Sequence, residues 1–227
     1  MDPFADSQQL ADWTTSTLVA RHLDQIANWR MVEYWIQVEL FRAIQSGGAP
    51  DWHHIGDFEH PYHTDLPKSG SKTNTKWIDL VFSNPNPQKP EKVVWCELKD
   101  LGRSRDTAKN NAKGLGNDLA ALWALDPLKT MELWLNPPPH SMDRGRLQEG
   151  NRSGNGLAKA RHLILQIALC HKSLCAEIAI ETIKDLWMNT FALKTGASIS
   201  ADSYSIATSE TERFIVFCLV GKPAYGA

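Results

Sequence analysis

Residues 76 to 100, KWIDLVFSNPNPQKPEKVVWCELKD, constrain this chain more than any other stretch. Two apolar runs read as buried strands, and the residues SNPNPQKPEK between them suit only a solvent-exposed connection. The pair therefore forms a hairpin inside a β-meander. Each run carries charge where an apolar side chain would cost less: Asp79 in the first, Glu97 and Lys99 in the second. An unpaired buried charge costs several kcal/mol or loses its ionisation, so three in one hairpin demand partners.

Strand side chains alternate between faces, which puts Trp77, Asp79 and Val81 on one side of the first run. Val93, Trp95, Glu97 and Lys99 share one side of the second, so Asp79 faces Glu97 and Lys99. Trp77 and Trp95, on apolar strands, read as core packing. Upstream, residues 16 to 46 read as helix with a break near Asn28. At about 100° per residue, Trp29, Val32, Trp35, Ile36, Leu40 and Ala43 gather on one face, with Glu39 in its middle. Glu33, at the edge, reads as an ordinary solvated charge. If this helix packs on the side of the sheet that carries Glu97, Glu39 completes a set of three carboxylates and a lysine. Such a set repels itself without a cation and suits a hard divalent ion with oxygen ligands.

Around this hairpin the pattern alternates helix and strand. WHHIGDFEHPYHT, after a helix stop at QSGGAPD, is irregular and strand-like. Residues 103 to 126 read as helix, weakened in the first half by Gly114 and Gly116. DPLKTMELWL starts a short helix, with Asp126 as N-cap and Pro127 in the first helical position. A polar loop follows, then a buried strand RHLILQIALC, a helix AEIAIETIKDLWMNTFAL, a Ser/Thr-rich turn region and a last strand RFIVFCLVG. At 227 residues the chain reads as a single α/β domain over 1–227.

The net charge of −2 leaves any nucleic-acid contact to local basic patches. Candidates are Arg103, Arg105, Lys109 and Lys113 just after the triplet, and Arg144, Arg146 and Arg152 in the polar loop of residues 137 to 158. The start of the chain has no signal-peptide pattern, and no apolar run reaches membrane-spanning length, so no membrane partner is expected. The four cysteines lie in apolar runs without C-x-x-C spacing, which reads as buried free thiols and a cytoplasmic location. His53, His54, Asp57, Glu59, His60 and His63 are zinc-ligand types, but their spacing matches no zinc motif.

Glu39 on a helix, Asp79 on one strand and Glu97-x-Lys99 on the next resemble, in order and in element type, the PD-(D/E)xK or restriction-endonuclease-like nucleases. EHPY, residues 59 to 62, is similar to segments of some members; Ile78 stands where the motif's name would put Pro. The resemblance covers about residues 28–170 and implies a restriction-endonuclease-like core: a helix, then a mixed β-meander sheet flanked by helices. Residues 171–227 would add a C-terminal helix and strand. It further implies a nuclease, most of all a DNA endonuclease, with Mg²⁺ or Mn²⁺ held by Asp79, Glu97 and Glu39. Lys99 would orient or deprotonate the attacking water, or stabilise charge on a phosphoryl oxygen. The rival reading is an inactive nucleic-acid- or protein-binding module on the same scaffold. DNA against RNA, a homodimer, and partner proteins of a defence or repair system stay open.

Overall fold

Alternation along one central strand divides the protein into two cores. In the computed structural model, Val93 and Trp95 of that strand face one hydrophobic cluster, while Val94, Cys96 and Leu98 face the other. The structure describes residues 2, 4–21, 23, 32–49, 51–55, 59–66, 74–85, 90–102, 104–135, 159–175, 178–197 and 204–224. In chain order the elements are α1 (Ser7–Ala20), α2 (Val32–Gln45), β1 (His53–His54), β2 (His60–His63), β3 (Thr75–Ile78), β4 (Leu80–Asn84), β5 (Lys92–Asp100), α3 (Arg105–Trp123), α4 (Pro127–Leu135), β6 (Arg161–His171), α5 (Lys172–Cys175), α6 (Ile180–Thr195), β7 (Tyr204–Glu210) and β8 (Phe214–Gly221).

Six strands form a sheet in the order β1-β4-β5-β6-β8-β7, and β2 pairs with β3 in a separate two-stranded sheet. In the larger sheet β5 and β6 run parallel and every other neighbouring pair is antiparallel. A parallel pair needs a crossover, and α3 with α4 supplies it. The fold is mixed α/β, a mainly antiparallel sheet flanked by helices. α1 and α2 cover the face of Leu80, Phe82, Val94 and Leu98; α3, α4 and α6 cover the face of Val81, Val93 and Trp95. No described helix is long and apolar enough to cross a membrane.

Helix starts follow the capping residues. Ser104 accepts the Thr107 N–H at α3, and Asp126 accepts the Lys129 N–H at α4, as its position before Pro127 predicts. α1 begins at Ser7 rather than near residue 16, because Asp6 caps it by accepting the Gln9 N–H at 2.8 Å. The expected break near Asn28 lies outside the described residues. The segment read as a Ser/Thr-rich turn region contains β7, whose Tyr204 ring sits against Gly221 of β8, a position where a Cβ would collide with it. Cys96, Cys170 and Cys218 are buried free thiols.

Two further departures have local causes. Gln166 sits fully buried in the apolar run of β6, donating to the Leu115 carbonyl at 3.0 Å and accepting from the Trp187 indole at 2.8 Å. One amide thereby ties β6 to α3 and α6. The glycines that weaken the α3 pattern divide into two kinds. Around Gly114 a Cβ would meet nothing within 4 Å, whereas at Gly116 it would strike the Trp187 carbonyl and, at 2.7 Å, the Thr190 side chain of α6. Gly116 lets two helix backbones touch. Gly114→Ala is therefore expected to stabilise the fold by about 0.5–1 kcal/mol, and Gly116→Ala to destabilise it by about 1–3 kcal/mol. Urea titrations of both variants check the difference in sign.

Candidate functional site

The run WIDLVF is not one strand. β3 ends at Ile78 in the small sheet, β4 starts at Leu80 in the large one, and Asp79 is the break between them. Its carbonyl accepts the Gln37 amide at 2.8 Å and the Glu59 N–H at 3.2 Å, while its carboxylate accepts the Leu98 N–H at 2.7 Å. With these bonds made off the ladder, the chain can change sheets at Asp79 without orphaning its carbonyl. The switch leaves Trp77 43% exposed, which corrects the expectation that it packs in the core; Trp95 is buried.

Leu80 pairs with Cys96, so the next position outward sets Asp79 beside Glu97. Glu97 and Lys99 lie on the Trp95 side of β5, under α3. Burial is the main force on both carboxyls. It pushes Asp79 up to about 7 against the Leu98 N–H bond; Glu33 and Glu59 add to the rise and Lys99 opposes it. Glu97 is held well above the carboxylate range by burial, then by Asp79 and Asp118. Lys99 goes the other way. Burial disfavours its ammonium, but Glu33, Glu97 and Asp118 outweigh that and hold its pKa above the usual value.

The structure does not bring Glu39 to this group. α2 packs on the opposite face of the sheet from Glu97, its Ile36 and Leu40 in the same hydrophobic cluster as Leu80 and Cys96. Glu39 is buried between α1 and α2, 3.1 Å from Arg42 and 3.5 Å from Arg21. Gln37 is the α2 residue bonded to Asp79, and Glu39 lies about 200° around the helix from it. The carboxylate that α2 does contribute is Glu33, read from the pattern as a solvated charge. From the first turn it reaches past the end of β5, 3.4 Å from the Lys99 ammonium and 3.3 Å from the Asp100 N–H. Glu39→Gln leaves two solvated arginines, so it is expected to cost about 1 kcal/mol of stability and to leave any nucleic-acid cleavage within about threefold of wild type. Parallel thermal melts and plasmid-cleavage rates check this; a loss of cleavage by orders of magnitude would return Glu39 to the site.

Two more site residues escaped the pattern. Asp118 of α3 holds the Lys76 ammonium of β3 at 3.1 Å, with the Lys76 side chain 11% exposed. The helix turn that faces the site thus carries an acid rather than the expected cations. At 3.6 residues per turn, Arg105, Lys109 and Lys113 lie about 140–180° around α3 from Asp118, toward the side where Gly116 meets α6. Arg103, Arg144, Arg146, Arg152 and the polar loop from residue 137 to 158 lie outside the described residues.

Among the described residues, His63, Asp65 and Asp126 form a group whose ligand atoms lie within 4.8 Å of one another. The Lys129 ammonium stands 3.2 Å from Asp65 and 3.1 Å from Asp126, so one cation is already paired with both acids. Of the described members of the histidine segment with zinc-ligand types, His63 alone belongs to it.

Comparison with known proteins finds no matching family model, no matching curated protein and no matching solved structure.

Proposed function

We propose that the protein is a metal-dependent phosphodiesterase of the restriction-endonuclease-like kind, and that its substrate is nucleic acid, DNA before RNA. One observation carries this reading: Asp79 and Glu97 are adjacent, half-buried carboxylates, and neither is bonded by an ammonium. The two lysines of the site are engaged elsewhere, Lys99 with Glu33 and Lys76 with Asp118. Among the described residues no donor bonds Glu97, and Asp79 receives the Leu98 and no other hydrogen at its carboxylate. Two such acids hold a hard dication with oxygen ligands, which fits Mg²⁺ or Mn²⁺ better than a soft metal. The element order is in keeping with the same family: a helix bearing Glu33, an antiparallel β4–β5 pair bearing Asp79 and Glu97-x-Lys99, then a helical crossover to parallel β6.

When bound, the ion supplies a water of lowered pKa and positive charge against a phosphoryl oxygen. The chain's own residues do the rest. Lys99, whose pKa is raised, stays an ammonium and stabilises charge that develops on a non-bridging oxygen; it is a poor base. Glu33 fixes the Lys99 side chain, and the Leu98 N–H fixes the Asp79 carboxylate. The reading is tested by incubating the protein with plasmid, single-stranded DNA and RNA, in Mg²⁺ or Mn²⁺ and in EDTA. Cleavage that needs the ion supports it, and binding without cleavage points to an inactive module on this scaffold.

A further inference from the structure

β3 brings a second lysine into the site, and its setting differs from that of Lys99. Lys76 pairs with Tyr62 across the small sheet and directs its almost buried side chain to Asp118. Asp118 stands on α3 above Glu97. Glu97 is the register partner of Gln166, Gln166 donates to the Leu115 carbonyl, and Asp118 is one helical turn beyond Leu115. Tyr62 closes the back of this corner, 1% exposed and within electrostatic reach of both Glu97 and Asp118. Glu97 therefore has two neighbouring carboxylates, Asp79 across the strand pair and Asp118 from α3, and both act on its ionisation.

A carboxylate with another acid on each of two neighbouring elements is one that two divalent ions could share. Here the positive charge on the Asp118 side is already present as an ammonium. We propose that Lys76 is a built-in second cation: fixed on Asp118, it takes the place beside Glu97 that a second divalent ion would otherwise occupy, so the site binds one ion, at Asp79 and Glu97. This rests on the metal-dependent reading above. It assigns Lys76 and Asp118 as positioning residues that set the ion count rather than as groups that touch the scissile phosphate.

The test counts Mn²⁺ bound to the full-length chain by electron paramagnetic resonance of the free ion. Asp79→Asn is expected to bind one ion fewer than wild type; an equal count would overturn the metal-dependent reading and this inference with it. Lys76→Met keeps an unbranched side chain against Tyr62 but removes the charge, and is expected to bind one ion more than wild type. The extra ion should vanish in Lys76→Met/Asp118→Asn, and Lys76→Arg should match wild type. A folded Lys76→Met with an unchanged count, while Asp79→Asn still loses its ion, overturns this inference alone. Asp118→Asn gives a check that does not depend on Lys76→Met folding. The released ammonium turns toward Glu97 and weakens Mn²⁺ binding about tenfold; unchanged affinity would mark Lys76–Asp118 as an ordinary ion pair.

Discussion

Asp79→Asn is expected to abolish cleavage and, at pH 8 without divalent ions, to be more stable than the wild type. The sign follows from the Asp79 pKa, pushed up to about 7 from an ordinary 3.8. A raised carboxyl pKa means that the folded protein binds the proton more tightly than the unfolded chain. Stability is then highest below about pH 4, falls as pH rises through the range up to about 7, and is level above it. The loss at pH 8 is on the order of 4 kcal/mol, and Glu97 adds to it in the same direction. Asn keeps an oxygen for the Leu98 N–H and has no charge to desolvate, so the variant escapes the penalty. Saturating Mg²⁺ should raise the wild-type melting temperature by mass action and leave the variant unmoved. Melting curves at pH 5 and 8, with and without Mg²⁺, separate these outcomes; wild type and variant moving together throughout would remove Asp79 from any ion site.

Lys99→Ala is expected to behave in the opposite way, losing cleavage by about 10²–10⁴-fold while keeping most of the Mg²⁺-induced rise in melting temperature. The lysine bonds neither inner carboxylate, so its removal leaves both ion-binding acids in place. What disappears is the cation that, among the described residues, is placed to meet charge developing on the phosphate. Glu33→Gln should cost less, about tenfold, because it loosens Lys99 without deleting it. Single-turnover cleavage rates beside thermal shifts test both variants. Undiminished cleavage by Lys99→Ala would end the nuclease reading.

The anomaly that matters is present in the amino-acid sequence itself. Asp79, Glu97 and Lys99 stand out because an ionisable group in an apolar, strand-period run is costly wherever the run ends up. The short α4 helix was equally legible, since an N-cap acid and a first-turn proline act within one turn. β5, β6 and β8 were found as strands for the same local reason: their apolar runs have strand length. Two elements misled. β7 has little apolar pattern of its own, and it becomes a strand because β8 offers it a ladder and Gly221 leaves room for Tyr204. The break at Asp79 left no trace in WIDLVF, because the bonds that make it come from the distant Gln37 and Glu59 on one side in sequence and Leu98 on the other.

Alone, the amino-acid sequence determined that charged groups would gather at the β4–β5 hairpin, and that the apolar runs of β5, β6 and β8 and the capped helix α4 would be among the elements around it. Only the tertiary structure decided which other residues join them. A helix's apolar face says that it packs, not on which side of a sheet; α2 chose the side away from Glu97, which sent Glu39 to the arginines and let Glu33 reach Lys99 around the strand end. Lys76 and Asp118, from a small separate sheet and a crossover helix, met for the same reason. Their attraction is local in space and remote in sequence, and periodicity carries no information about that distance.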